Sequence, residues 1–209
     1  MLRKRATALL VDFDGVLRRW DPAVAEEAES RHGLPPGSLV ATAMEWNRLK
    51  AVVTGALTHE QWRVDTADAL AERAGDRDRA LAAVRQWQAH RGEVDAEVLA
   101  FVRQARAAGV PVGLATNATD LLDADLATLG LTDEFDVVVN SSRLGVCKPM
   151  KEYFQQACRL VGAPPDRVLF VDDDDRVVRG ARVAGLSAYR WNGPADLRYL
   201  RAALGMVAV

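Results

Sequence analysis

Four short apolar runs punctuate this chain, at residues 8–11, 110–116, 135–140 and 167–172, each rich in Val, Leu, Ala or Phe. Runs of this length are too short for helices, and their continuous apolarity matches strands buried on both faces of a parallel sheet. Between them the apolar positions recur at helical spacing. Val98, Leu99, Val102 and Ala105 give one helix its face before Gly109 ends it. Further helices are predicted over residues 121–129, 151–161, 177–184 and 195–204, with a short strand, SAYRW, at 187–191. Such alternation predicts an α/β fold, a Rossmann-like parallel sheet core with helices on both faces.

Residues 18–92 have a different texture, helical throughout and without a strand-like run. Pro22 suits a first helical turn and Gly33 a stop; a Pro35-Pro36-Gly37 turn follows, and Ser38 is predicted to cap one helix over 39–50. Thr58 and Gln61 form a capping box opening a helix over 58–75, and Leu81, Val84 and Trp87 mark another over about 77–90. The expected organisation is a core of residues 1–17 and 93–209 with a small all-helical domain, 18–92, inserted after the first strand. Trp20, Trp46, Trp62 and Trp87 fall in or beside this insertion. They read as packing residues, with one or two lining a pocket.

Composition narrows the function classes. Twenty-seven Lys and Arg stand against 29 Asp and Glu, a net charge of −2, so nothing global argues for nucleic-acid or membrane-surface partners. No run of apolar residues is long enough for a membrane span, and Asp12 cuts the first run below signal-peptide length, so a cytoplasmic location is expected. Cys147 and Cys158 lack metal-ligand spacing and read as small core residues in a reducing compartment. His32, His59 and His90 are scattered through the helical segment and read as surface or packing residues.

The candidate chemistry stands at the strand ends. Asp12 and Asp14 follow the first run, with Gly15 free to turn or to approach a ligand closely. Thr116-Asn117 end the second, Lys148 follows the third in GVCKP, and Asp172 to Asp175 follow the fourth. Singly these read as a polar turn, a helix cap, a surface lysine and a solvated acidic loop. A right-handed parallel fold brings the carboxyl ends of its strands to one edge, so the four would meet there. Crowded carboxylates repel one another unless a positive charge lies between them.

In this order and context the motifs resemble those of the haloacid dehalogenase (HAD) superfamily: DFDGVL its first, Thr116 with Asn117 its second, Lys148 its third and VDDDD its fourth. Residues 18–92 resemble that family's helical cap. The resemblance implies Mg²⁺ and, in most members, chemistry on phosphate esters. One departure stands in the fourth motif: Asp174 and Asp175 follow the paired acids directly, and Val177 occupies a position usually held by Asn or Asp, so Asp174 or Asp175 could replace that partner.

What the resemblance implies is a phosphomonoester hydrolase acting on a small phosphorylated metabolite, with Asp12 as nucleophile and Asp14 as general acid and then base. Thr116 and Asn117 would donate hydrogen bonds to the phosphoryl oxygens, and Lys148 would neutralise charge. Asp12, Asp173 and Asp172, with the backbone carbonyl of Asp14, would hold the metal. An acid at position 14 suits an alkoxide leaving group, whereas a halide needs no proton, which favours phosphate transfer over dehalogenation. Arg18, Arg19 and Trp20 could face the leaving group or form a hinge. A phosphomutase of the same superfamily and a catalytically weak binding or regulatory module are the alternatives.

Overall fold

The structure, a computed structural model, describes residues 5–206. The chain runs β1 (Ala8–Val11), β2 (Arg18–Arg19), α1 (Pro22–Arg31), α2 (Ser38–Ala43), α3 (Trp46–Val53), α4 (His59–Ala74), α5 (Arg77–Ala89) and β3 (Glu93–Val94). It continues α6 (Ala96–Ala107), β4 (Val112–Thr116), α7 (Leu122–Thr128), β5 (Val137–Asn140), α8 (Ser141–Leu144), α9 (Lys151–Val161), β6 (Val168–Asp172), α10 (Asp175–Val183), β7 (Ser187–Arg190) and α11 (Leu197–Leu204).

The large sheet is parallel, in the order β5-β4-β1-β6-β7. Successive residues of β1 serve opposite layers, as the two-residue strand period requires. Ala8 and Leu10 pack with Tyr153, Phe154 and Val178 of α9 and α10, while Leu9 and Val11 pack with Phe101, Val102, Leu200 and Leu204 of α6 and α11. Fully burying a Leu or Phe contributes about 1.5–3 kcal/mol, so both layers hold β1 in register. The central strand has its neighbours added on both sides, and Asp12 leaves it where ligands of open α/β sheets bind.

Helices α1, α2, α4 and α5 enclose their own apolar cluster, including Ala28, Leu39, Leu70 and Val84. A second cluster, Ala43, Val52, Val53 and Trp62, takes in Cys147 from the sheet unit. A two-stranded antiparallel ribbon links the parts, Arg18 opposite Val94 and Arg19 opposite Glu93. Trp62 is buried, but Trp20 and Trp46 are exposed. Both cysteines are free and buried, and no helix among the described residues is long and apolar enough to cross a membrane.

The single helix expected over 39–50 is two. Glu45 adopts φ −56° and ψ 128°, and its carboxylate accepts the N–H groups of Asn47 and Arg48, so it starts a new helix where the old would have continued. Ser38 is no cap: it is the first residue of α2, its buried hydroxyl unpartnered among the described residues. The cap comes from a distance, where the buried Glu29 carboxylate accepts from Gly37 and Leu39 N–H at 2.7 and 2.8 Å. The Thr58–Gln61 capping box forms as expected.

Candidate active site

Asp12 leaves β1 into a buried position, 7% exposed. Its Oδ1 accepts the Phe13 N–H at 2.7 Å and lies 2.7 Å from the Lys148 ammonium, whereas Oδ2 receives no hydrogen bond among the described residues. Lys148, 3% exposed, reaches the same point from the loop between α8 and α9 and donates to Asp172 Oδ2 at 2.7 Å. The other Asp172 oxygen accepts the Asp174 N–H, so both oxygens of this carboxylate help to orient the lysine and the following turn. Asp173 is exposed, and Asp12, Asp172 and Asp173 each place a carboxylate oxygen within 4.8 Å of the others.

The balance of charge is uneven. Burial pushes the Asp12 carboxyl well above its ordinary value, and Lys148 offsets this only in part. Burial and the adjacent Asp172 raise Asp173 as well. Burial alone would lower the Lys148 ammonium, but Asp12 and Asp172 outweigh it and hold it up. Three carboxylates around one ammonium leave an excess of negative charge. A hard divalent cation bound through one or two carboxylates, with water and phosphate in its remaining positions, fits this donor set.

Gly15 keeps the loop open to Asp173. Its φ is +80°, and a Cβ there would lie 2.3 Å from Asp173 Oδ2, so both backbone conformation and space require glycine.

The other expected residues separate into distinct places. Thr116 is buried at the end of β4, in register with Asn140 of β5. Asn117 has its side chain committed elsewhere: Nδ2 donates to the Lys148 carbonyl at 3.1 Å and Oδ1 accepts the Lys148 N–H at 2.8 Å. It therefore clamps the lysine's backbone, a role that strand-end position does not disclose. Asp14 is not one of the three clustered carboxylates. Arg18 Nε and Nη2 grip its two oxygens at 2.6 and 3.0 Å, and Trp20 Nε1 donates to Oδ1 at 2.7 Å. Of the extra acids, Asp174 caps α10 through the Arg176 N–H and Asp175 pairs with Arg179, so neither joins the cluster. The histidines stay outside it too; His59 is buried and bonds Gln88. Tyr153, which the sequence did not single out, supports the strand ends from below, its buried hydroxyl donating to Val139 C=O at 2.8 Å.

A parallel sheet carrying acids and a lysine on its carboxyl edge defines a family when joined to the sequence match: residues 6–185 match the haloacid dehalogenase-like hydrolases, and the chain belongs to that family. Among curated relatives it is 34% identical over 125 residues to a phosphoserine phosphatase of Thermus thermophilus, covering 58% of this chain and 50% of that protein. It is 29% identical over 200 residues to an N-acetylmuramic acid 6-phosphate phosphatase of Pseudomonas aeruginosa, covering 88% and 81%. Over 77 residues, 37% of this chain and 30% of the relative, it is 36% identical to an (S)-2-haloacid dehalogenase of Xanthobacter autotrophicus. The chain thus spans half or less of the length of two of these three relatives, the Thermus and Xanthobacter proteins. A HAD family enzyme of Bacteroides thetaiotaomicron, solved with magnesium and inorganic phosphate, shares the fold at a TM-score of 0.70 and 20% identity, covering 93% of this chain and 98% of its own. The chain is thus a member of the HAD-like hydrolase family, and several of the relatives it resembles are named as phosphatases.

Proposed function

We propose that this enzyme is a Mg²⁺-dependent phosphomonoester hydrolase that works through an aspartyl-phosphate on Asp12, with a small phosphorylated metabolite as substrate. The observation that carries the reading is the Asp12 carboxylate held at 2.7 Å from the buried Lys148 ammonium, with Asp172 and Asp173 alongside. Asp12, Asp173 and the Asp14 carbonyl would hold Mg²⁺, with Asp172 acting beside them by fixing Lys148. When bound, the ion neutralises phosphate charge that would otherwise repel the nucleophile.

Lys148 draws electron density toward Asp12 Oδ1, leaving Oδ2 to attack phosphorus as the bond to the leaving oxygen breaks. Asp14 gives its proton to that oxygen, then takes one from the water that attacks phosphorus and frees phosphate, restoring Asp12. The Thr116 hydroxyl donates to the phosphoryl oxygens, and Asn117 serves by holding Lys148. Residues 18–92 act as a cap over the leaving group, with the Trp20 ring, 44% exposed beside Asp14, as one face of its site. The proton-donating acid favours phosphate esters over haloacids, since a departing halide needs no proton.

The test is a panel of phosphate monoesters assayed with Mg²⁺ and with chelator. Phosphate release that requires the metal and is lost in Asp12→Asn is expected. Full activity of Asp12→Asn would rule out the mechanism, and isomerisation of a sugar phosphate without net phosphate release would replace hydrolase by mutase.

A further inference from the structure

We propose that Arg18 is the positioning residue for Asp14, orienting the proton-transferring carboxylate and tying it to the ribbon that joins the helical segment to the sheet. Its part in turnover rests on the hydrolase reading above; its hold on Asp14 is a matter of geometry alone.

Arg18 is 4% exposed, an unusual place for a guanidinium, and every face of it is used. Two donors take both oxygens of Asp14, at 2.6 and 3.0 Å, while Nη1 turns away to Asp125 Oδ2 at 3.0 Å on α7. The other Asp125 oxygen lies 3.3 Å from Arg91. The guanidinium carbon is 4.0 Å from the Phe13 ring centre and 4.4 Å from that of Trp20, whose indole N–H also meets Asp14. A planar fork between aromatic rings fixes distance and direction together, which a lysine's point charge does not.

The backbone of Arg18 is held as firmly as its head. Its N–H donates to Phe13 C=O at 2.7 Å, and its own carbonyl accepts the Gly15 N–H at 2.9 Å, closing the catalytic loop on itself. The residue leading into the ribbon's return strand walls in the stem: a Cβ on Gly92, at φ +75°, would lie 2.7 Å from Arg18 Cγ. Both passages of the chain between sheet and helical segment therefore set the direction of the guanidinium and, through it, of Asp14. An ångström of misplacement in a proton-transferring group is costly to rate, so this linkage bears on turnover.

The experiment compares wild type, Arg18→Lys and Asp125→Asn on 4-nitrophenyl, phenyl and alkyl phosphates with Mg²⁺, resolving kcat from KM. General acid catalysis supplies roughly 10²–10⁴-fold, and mainly where the leaving oxygen needs its proton. Arg18→Lys is expected to lose about tenfold more kcat on the phenyl and alkyl esters than on the 4-nitrophenyl ester, with Asp125→Asn graded the same way but less steeply. Equal losses across the series, or a change in KM alone, would mark a merely structural ion pair and overturn the assignment. Crystals of the same proteins supply a second reading: Asp14 should lie in the fork in wild type and leave it in Arg18→Lys. An unmoved Asp14 overturns the proposal. Displacement of Asp14 in a protein inactive toward every ester supports the positioning and counts against the hydrolase reading instead. If Arg18→Lys does not fold, Asp125→Asn carries both measurements, with the same graded loss and displaced Asp14 expected and the same null results overturning the idea.

Discussion

Two charged knots sit on one loop, two residues apart, and they are built differently. In the first, Lys148 lies 2.7 Å from both Asp12 and Asp172, and its side chain is 3% exposed. In the second, Arg18 grips Asp14, whose side chain is 39% exposed, and anchors to Asp125. A lysine offers one compact charge that two carboxylates can share from any side, whereas an arginine presents a rigid fork that fits one carboxylate in one orientation. The first knot suits charge compensation at the point of attack; the second suits aiming a proton. The lesson is that neighbouring acids in DFDG acquire different duties from different cations, Asp12 from the distant Lys148 and Asp14 from the local Arg18, which is braced in turn by the distant Asp125.

The sharpest way to break this contrast is Lys148→Met. It leaves Asp12 and Asp172 buried without their shared cation, and unpairing a buried charge costs about 3–5 kcal/mol. Denaturant unfolding without Mg²⁺ should register a loss of that order, alongside a fall in phosphatase kcat of about 10²-fold or more, the scale for removing one charge-stabilising donor. A shift within error would mean that Lys148 does not compensate the two acids. Next comes Asn117→Ala, which strips both hydrogen bonds from the Lys148 backbone while sparing its charge. Leaving a buried group unpaired costs about 1–3 kcal/mol, and kcat should fall more than stability alone explains; unchanged kcat would demote the clamp.

Gly15→Ala probes the space between the knots. Forcing a Cβ onto a left-handed residue costs about 1–2 kcal/mol, and here it also displaces Asp173. Mg²⁺ affinity, followed by titration calorimetry, should weaken; undiminished affinity would exclude Asp173 from the metal site. The smallest effect serves as the control, at an ion pair far from both knots. The Val112 N–H, and then Arg106, hold the Asp136 carboxyl below its ordinary value. A depressed folded-state value contributes stability above the unfolded carboxylate's pKa, about 4, and loses it as pH falls through the folded value. Solvent screening limits Asp136→Asn to about 1 kcal/mol or less near pH 7, vanishing in stronger acid. An effect that grew toward acid would reverse the assigned sign.

Much of this arrangement was legible in the sequence because it follows from local pattern. The apolar runs marked the large sheet, their ends marked Asp12, Thr116 and Asp172, and the motif order pointed to Lys148, which the fold sets against Asp12 and Asp172. The ribbon β2–β3 left no such signal, since two residues per strand cannot show a period. Nor did α8, a single turn capped by Asn140. The break between α2 and α3 depended on Glu45 capping the second helix, and the start of α2 on Glu29 reaching across from α1. Asn117 and the anchor of Arg18 carried signals of the wrong range: Asn117 meets Lys148 31 residues away, and Arg18, though only four residues from Asp14, is braced by Asp125 107 residues away. Where a carboxylate goes can be read from a strand end; that Asp12 meets Lys148, and that Arg18 is braced by Asp125, depends on packing between distant segments.

The most direct test of the central claim is to mix the enzyme with excess phosphate ester and Mg²⁺, quench in acid within one turnover, and map the modified peptide by mass spectrometry. One phosphoryl group on Asp12, absent in Asp12→Asn and in wild type under chelator, is the expected result. Turnover proceeding at full rate with Asp12 never phosphorylated would contradict the account.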